Sequence, residues 1–186
     1  GETETLQRKH AEHFLALAEQ AEPKLTSAEQ KTWLARLERE HDNMRAALGW
    51  ALEHTGVELA LRLGTALFQF WRARSYWSEG RQRLEEIIAL VRRAENPEQM
   101  SCEHRALFAH ALTQIGSLAY YPGDYTIARS RSEEGLALSR EIEDKKVMSL
   151  ALYTLGSVAL QQGEFAAARA LWEECLALTR EVGDKN

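Results

Sequence analysis

Apolar residues recur along most of the chain at the three- and four-residue spacing of amphipathic helices. The first such stripe runs from Leu6 to Ala21 and stops before Pro23, which cannot continue a helix. Two more stripes lie between residues 27 and 54, and the pattern leaves open whether one helix or two carry them. Over the whole chain the spacing predicts an all-α protein with about nine helices.

The second half of the chain matches itself when it is shifted by 40 residues. Residues 115–119 align with residues 155–159, and residues 123–125 align with residues 163–165, in order and without gaps. A pair of helices that recurs at a fixed interval is typical of stacked hairpins, because each hairpin buries its apolar face against the next one. The period therefore predicts a stacked helical solenoid.

The turn of this repeat carries residues suited to its geometry. Gly123 can adopt the left-handed conformation that ends a helix, and Asp124 can cap the helix that follows. Gly116 lies in the middle of the first helix, where helix propensity disfavours glycine. A small residue there predicts close approach by a neighbouring helix, and Ala128 allows the same contact from the second helix.

The repeat resembles the tetratricopeptide repeat. The family's leucine–glycine pair, its glycine and aromatic residue at the turn, and its alanine and large residue in the second helix all have matches. These are Leu155, Gly156, Gly163, Phe165, Ala168 and Trp172. The earlier copy departs from the pattern at Ser132, and the period is 40 residues rather than about 34. The resemblance implies a right-handed superhelical solenoid of antiparallel helix pairs.

A more divergent copy precedes these two repeats. At an offset of 48 residues Trp77 aligns with Tyr125, and extra residues around Pro97 account for the longer interval. Phe68 takes the place of Gly116, so we expect aromatic side chains to form the helix contact there. The predicted organisation is a helical segment at 1–56, a degenerate repeat and linker at 57–100, and repeats at 101–144 and 145–186.

The N-terminal part resembles another kind of sequence. Residues 10–19 and 33–52 are similar to the helical segment that follows the ATPase module in STAND-class bacterial regulators, including LuxR-like and antibiotic-regulatory types. This resemblance covers residues 6–54 and implies a fragment of a larger transcriptional regulator or signalling ATPase. The chain has no glycine–lysine phosphate loop, so ATP hydrolysis would belong to another part of that protein.

Composition and charge narrow the class of protein. Ala, Leu, Glu, Arg and Lys make up 100 of the 186 residues, whereas Val and Ile contribute five each, which disfavours a large β-sheet. The net charge of −5 argues against a dedicated nucleic-acid-binding protein. No apolar run is long enough to span a bilayer, and the two cysteines lie far apart, so we expect a soluble, cytoplasmic protein.

No group of residues predicts catalysis or a bound metal. His10 and His13 could share a helix face, but no further ligand at matching spacing completes a zinc site. The adjacent glutamates Glu133 and Glu134 point in different directions, which indicates a solvated helix face. We therefore expect a protein that is not an enzyme and that has no cofactor.

One stretch of the degenerate repeat combines arginines with aromatic residues. Between residues 58 and 93 there are seven arginines and four glutamates. Arg72, Arg74, Trp77 and Arg81 could bind a phosphate, a nucleotide or an acidic peptide through paired hydrogen bonds and cation–π contacts. The alternative is a repeat turn with aromatic residues in the core and solvated arginines.

The tetratricopeptide resemblance also implies a binding surface. In that family the first helix of each repeat lines a concave groove, and the matching positions here are mostly polar or aromatic. They are Arg62, Thr65, Gln69, Arg72, His110, Thr113, Ser117, Tyr120, Tyr153, Ser157 and Gln161. Such a lining suits a peptide or a polar effector, and the alternative is a groove that is empty or filled by other domains of the parent protein.

The last repeat ends in an apolar stripe formed by Ala167, Leu171, Leu178 and Val182. Their counterparts in the preceding repeat are placed to meet the next one, and terminal repeats normally carry a polar outer face. We therefore expect the array to be truncated at its C-terminal end, and the stripe to be exposed or to be covered by a partner or a second copy.

These observations together predict a non-catalytic protein-interaction or sensor module of a bacterial regulator. Its expected partner is a protein, a peptide, a small effector or other domains of the parent chain. The first alternative is an assembly scaffold that forms a homo-oligomer through the terminal stripe. The second is anion or nucleic-acid contact through the Arg-rich stretch, which the net charge disfavours.

Overall fold

The computed structural model describes residues 2–54, 57–94 and 100–183. Every regular element in these ranges is helical, so the fold class is all-α, as predicted. None of the helices described is long and apolar enough to cross a membrane. The chain divides into two compact units, Gly1–Asn96 and Pro97–Asn186, and the predicted linker around Pro97 lies outside the described residues.

Within its described residues the first unit has five α-helices and one 3-10 turn. Their bounds are α1 Glu2–Ala21, the turn Glu22–Thr26, α2 Gln30–Arg39, α3 His41–His54, α4 Val57–Ala73 and α5 Trp77–Ala94. Pro23 lies at the start of the 3-10 turn, where its missing N–H costs nothing. The two central stripes belong to separate helices, α2 and α3, which meet at Glu40.

Helix α4 is the centre of the first unit and contacts α1, α3 and α5. Leu61, Phe70 and Trp71 on this helix are at most 2% exposed. The close approach between α4 and α5 occurs at Gly64, where a Cβ would overlap the side chain of Ile87. The sequence predicted an aromatic contact at Phe68, one turn later. The small residue at which α4 and α5 meet is Gly64.

Within its described residues the second unit has four helices, namely α6 Cys102–Tyr120, α7 Tyr125–Glu141, α8 Lys145–Gln161 and α9 Phe165–Gly183. Each helix packs on the next, and α6 also packs on α8. Because the connecting turns are only a few residues long, consecutive helices form antiparallel hairpins. This pairing is consistent with a solenoid, while the superhelical handedness and the four-part domain division stay predictions.

The turns of the second unit have the geometry that the sequence predicts. Gly123 and Gly163 adopt positive φ values of 86° and 78°. The side chain of Asp124 accepts a hydrogen bond from the backbone N–H of Ile127 and so caps α7. At Gly116 a Cβ would lie 2.9 Å from the carbonyl oxygen of Ala128, which confirms that the glycine allows close helix contact.

Candidate functional site

A cluster of tyrosines lies where α6 ends and α7 begins. The rings of Tyr121 and Tyr125 both lie 5.8 Å from the ring of Tyr120, measured between centroids. The amide nitrogen of Gln161 donates a hydrogen bond of 3.4 Å to the Tyr120 hydroxyl, which joins the end of α8 to this cluster. Tyr121 is 43% exposed, so the cluster presents an aromatic and hydrogen-bonding surface to solvent.

Tyr153 adds a second exposed aromatic side chain, on α8 itself. It is 59% exposed, which is unusual for a large side chain in the middle of a helix that is otherwise well buried. Tyr120, Tyr153 and Gln161 come from the sequence-predicted groove, whereas Tyr121 and Tyr125 do not. The signal that could have found them is the run of aromatic residues around the turn at Gly123.

Several other predicted groove residues are buried in the core. Thr65, Thr113, Ser117 and Ser157 are each at most 7% exposed. The hydroxyl of Thr65 donates to the Leu61 carbonyl, that of Thr113 to the His110 carbonyl and that of Ser157 to the Tyr153 carbonyl, each at 2.8 Å. Hydroxyls that bond to their own helix need no external partner. In this conformation all four side chains lie beneath the surface rather than on it.

His110 lies on α6 of the second unit and is half-buried. Its Nε2 atom lies 3.1 Å from the amide nitrogen of Gln114, a side chain that is only 1% exposed. Burial lowers the pKa of the His110 imidazole. The charge of Asp144 raises this pKa and the charge of Lys146 lowers it, each by less than burial does. The neutral imidazole can accept a hydrogen bond from the amide of Gln114, so its surroundings are those of a packed side chain.

The remaining predicted groove residues, Arg62, Gln69 and Arg72, belong to the first unit. Arg62 is already engaged, because its guanidinium lies 2.7 Å from Glu19 and 3.3 Å from Glu58. Hydrogen bonds to Glu19 raise the pKa of Arg62 despite the opposing effect of burial. Gln69 is half-buried, and the exposed Arg72 lies over the ring of Phe68 at 5.8 Å.

The Arg-rich stretch is bordered by carboxylates that pair with its arginines. The Nε atom of Arg74 lies 2.8 Å from Glu38, and the hydroxyl of Tyr76 donates to the same carboxylate at 2.6 Å. Trp77 and Arg81 are both half-buried. The pairing with Glu38 offsets the positive charge available for a phosphate and therefore weakens the anion-binding interpretation of this stretch.

A polar network near the same turn did not emerge from the sequence. His41 is only 8% exposed, and its Nε2 atom lies 3.0 Å from Glu79, which also accepts a 2.7 Å hydrogen bond from Arg45. The His41 ring stacks on Tyr76 at 4.7 Å. Hydrogen bonding to Arg45 lowers the pKa of Glu79. This network connects α3 to the start of α5. His41 and Glu79 are 38 residues apart in the sequence, so no local spacing indicates that they meet.

A cavity of about 520 Å³ lies between α1, α3 and α4 in the first unit. Trp50 and His54 form one wall, with their rings stacked at 5.5 Å. Arg8 and Glu12 line another wall and pair with each other at 2.8 Å. In the described ranges no group of three or more histidine, cysteine, aspartate or glutamate side chains could hold a metal ion.

Part of the predicted terminal stripe packs against the core, and part of it is exposed to solvent. Leu171 and Leu178 are half-buried against the core that contains Leu136 and Leu152. Val182 is also half-buried, and Ala167 is exposed. The most exposed large apolar side chains on this part of the molecule lie beside the stripe, namely Phe165 at 70%, Leu176 at 50% and Leu160 at 40%.

No known family profile matches the chain. Among curated proteins, the chain is 29% identical over 136 residues to regulators from Mycobacterium bovis and from two strains of Mycobacterium tuberculosis, all provisionally named HTH-type transcriptional regulators. The matched segment covers 73% of this chain but only 15% of each regulator. The chain is thus distantly similar to part of a bacterial transcriptional regulator.

Proposed function

We propose that the chain is a non-catalytic interaction and sensor module of a bacterial transcriptional regulator, built from tetratricopeptide-type hairpins. The distant similarity to mycobacterial regulators supports the regulatory role. The 40-residue hairpin repeat, with its positive-φ glycines at Gly123 and Gly163, supports the repeat type. The similarity of the N-terminal segment to regulators of the STAND class supports a parent protein with an ATPase module.

The observation that carries the proposed binding role is the set of tyrosine and glutamine side chains at the end of α6 and on α8. Tyr120, Tyr121, Tyr153 and Gln161 offer ring faces, hydroxyls and an amide on the same helical unit. Tyrosine is enriched in protein interfaces because one side chain supplies both apolar area and a hydrogen bond. A peptide or protein segment with apolar and hydrogen-bonding groups is the ligand that such a surface suits.

In the proposed mechanism a partner bound to this surface shifts the regulator between inactive and active states. Such a shift requires that the partner bind the two states with different affinity. The module itself supplies no reacting group, so its contribution is a binding free energy that other domains convert into altered transcription. A cytoplasmic location follows from this role.

The proposal is tested by replacing Tyr121 and Tyr153 together with serine in the gene that encodes the chain. Tyr121 is 43% exposed and Tyr153 is 59% exposed, so the double variant is expected to fold. We expect RNA sequencing to show part of the transcriptional change that deletion of the gene causes. The matched control is Leu6→Ser, which alters an apolar side chain that is 67% exposed in the first unit.

Two results would contradict the proposal. A deletion that leaves transcription unchanged would remove the regulatory role. A double variant with the transcription profile of the unaltered strain would remove the tyrosine surface as the binding site.

A further inference from the structure

The cavity between α1, α3 and α4 has the size and the mixed lining of a small-molecule site. Its volume of about 520 Å³ falls within the range of about 300–1,000 Å³ that such sites occupy. Leu15, Trp50 and Leu59 give it an apolar part, with one side chain from each helix. All of its lining belongs to the first unit. The apolar part can bury the side chain of a small molecule, and polar groups of the lining can orient it.

On the α1 wall, Arg8 has hydrogen-bond donors that the chain leaves unused. Its Nε atom donates to Glu12 at 2.8 Å. Its two terminal nitrogens have no hydrogen-bond partner among the described residues, and the side chain is 69% exposed. The parallel N–H groups of a guanidinium fit the two oxygens of a carboxylate. This wall therefore suits the carboxylate of a ligand.

On the α4 wall, Glu58 has an acceptor that the chain leaves unused. Its Oε1 atom accepts a 3.3 Å hydrogen bond from Arg62, a guanidinium that also donates to Glu19 at 2.8 Å. The Oε2 atom of Glu58 has no partner in the described ranges of the chain. A carboxylate oxygen forms strong hydrogen bonds with an ammonium group. This wall therefore suits the ammonium group of a ligand.

The α3 wall holds a donor for which the described part of the chain supplies no acceptor. Trp50 is 9% exposed, and its ring stacks on that of His54 at 5.5 Å. Its indole nitrogen is buried and has no hydrogen-bond partner among the residues described. A buried N–H that makes no hydrogen bond costs free energy, and a ligand that brings an oxygen atom to this wall would remove that cost.

The charges of the lining disfavour a simple anion as the occupant. Apart from the histidine, the ionisable groups are three carboxylates, those of Glu4, Glu12 and Glu58, and the two guanidiniums of Arg8 and Arg62. An anion without a positive charge would meet a surplus of negative charge. A ligand that carries both charges can pair with both kinds of group.

We infer that this cavity binds a small zwitterion with an apolar side chain, namely an amino acid or a short peptide with free termini. The ligand's carboxylate pairs with Arg8 and its ammonium group with Glu58. Its side chain packs in the apolar part of the cavity. A ligand with only one of the two charges leaves one wall unpaired, so both charges are needed for full affinity.

L-Leucine and the dipeptide leucyl-leucine are the probes, because both combine the two charges with apolar side chains but differ in the distance between the charges. Each is titrated into the 186-residue chain by isothermal titration calorimetry. We expect at least one of them to bind with a Kd below about 1 mM. The better binder then tells whether the site is built for a free amino acid or for a short peptide.

Analogues that lack one charge test the two pairings. Isocaproate and N-acetyl-leucyl-leucine lack the ammonium group, whereas isoamylamine and leucyl-leucinamide lack the carboxylate. Each analogue should bind at least about tenfold more weakly than its parent, because a hydrogen bond to a charged group is lost.

Variants of the two charged side chains test their roles. Arg8→Gln and Glu58→Gln should each weaken binding of the zwitterion about tenfold or more. Both side chains are more than half exposed, so the variants are expected to fold. The matched controls are Arg169→Gln and Glu173→Gln, which alter an exposed arginine–glutamate pair with the same four-residue spacing in the second unit. These controls should leave binding unchanged.

The position of the bound probe is measured at Trp50. Its indole N–H signal in a proton–nitrogen NMR spectrum is identified as the one that Trp50→Phe removes. This signal should shift when the probe binds, and it should shift much less at the same probe concentration in Arg8→Gln and in Glu58→Gln.

Four outcomes would overturn the inference. They are no binding of either probe at millimolar concentration, an analogue with one charge that binds as tightly as its parent, an equal loss of affinity in the controls, and binding without a shift of the Trp50 signal. The site lies in the first unit, and the Tyr121 and Tyr153 variant of the proposed function leaves it intact. The two proposals can therefore fail separately.

Discussion

The hairpins α6–α7 and α8–α9 share a sequence pattern, yet they bury it to different extents. The corresponding leucines, Leu136 and Leu176, are 7% and 50% exposed. The buried serine at position 132 corresponds to the half-buried Trp172. The first hairpin has a neighbour on its outer face, whereas the second has none among the described residues.

This difference shows that a repeat pattern specifies which face is apolar but not whether that face is covered. Ala128 and Ala168 are both at most 1% exposed, so this position is buried in both hairpins. Leu136, by contrast, packs in one cluster with Leu152 of α8 and with Leu171 and Leu178 of α9, which all belong to the hairpin that follows. In a stacked array, stability therefore belongs to the interfaces between hairpins as much as to the hairpins themselves.

The largest expected difference in stability is between variants of Leu136 and Leu176. Leu136→Ala should lower the free energy of unfolding of the second unit by about 2–4 kcal/mol, because it removes a buried side chain and leaves a cavity. Leu176→Ala should cost less than about 1 kcal/mol, since half of that side chain is already in water. Hydrogen exchange of α6–α9 peptides in increasing urea measures both values. Equal costs at the two positions would show that the outer face of α9 is covered.

An intermediate loss of stability is expected when Gly116 or Gly156, the equivalent glycines of the two hairpins, is replaced. At Gly116 a Cβ would meet the backbone of Ala128 and of Ser132, at 2.9 Å and 3.1 Å, so the helices must separate. At Gly156 a Cβ would meet ring atoms of the half-buried Trp172, and a side chain can be displaced at lower cost than a backbone segment. Gly116→Ala should therefore destabilise the unit by about 1–3 kcal/mol. Gly156→Ala should be closer to neutral, because the gain of about 1 kcal/mol in helix propensity offsets the displacement.

The glycine comparison is measured by the same urea-dependent exchange. A Gly156→Ala cost as large as that of Gly116→Ala would contradict the expectation. It would mean that the Trp172 ring is held as firmly as a backbone segment.

The smallest effect is a dependence on pH that only the first hairpin should show. Burial lowers the pKa of His110 below its ordinary value of 6.5, whereas the counterpart of His110 in the second hairpin is Leu150. As the pH falls below 6.5, the unfolded chain takes up a proton that the folded chain resists, so stability should decrease. Above that pH the imidazole is neutral in both states and contributes no such change.

Replacing His110 with leucine, as at position 150, should remove this contribution. Urea unfolding of the second unit at pH 7.5 and pH 5.5 is compared between the two proteins by circular dichroism, with Leu136→Ala used to assign the transition. The original chain should lose more stability on acidification than the variant. The same loss in both would assign the effect to other groups.

Much of the local structure could be predicted because it depends on neighbouring residues. The positive φ of Gly123 and the cap formed by Asp124 follow from chemistry within a few residues of the turn. The close contact at Gly116 could be predicted because glycine weakens the middle of a helix, a cost that close packing of a second helix offsets. The division between α2 and α3 could not, since the apolar spacing continues across Glu40.

The surface residues were harder to predict, because exposure depends on how helices are rotated against each other. Thr113 and Ser157 match the groove positions of the tetratricopeptide repeat that the sequence resembles, but they are buried and bonded to their own helix. Tyr121 was not selected, although it is exposed beside Tyr120. A rotation of one residue changes the direction of a side chain by about 100°, so family positions transfer poorly to a repeat with a different period.

The sequence by itself determined that the protein is helical, that its second half is a repeated hairpin, and where the turns lie. These properties depend on residue spacing and on backbone preferences, which act over a few residues. Only the tertiary structure decided which tyrosines reach solvent, that Glu38 pairs with Arg74, and that α9 leaves Leu176 exposed. Those outcomes depend on contacts between residues more than 30 positions apart, or on the lack of such a contact. The spacing of apolar residues within one helix does not specify them.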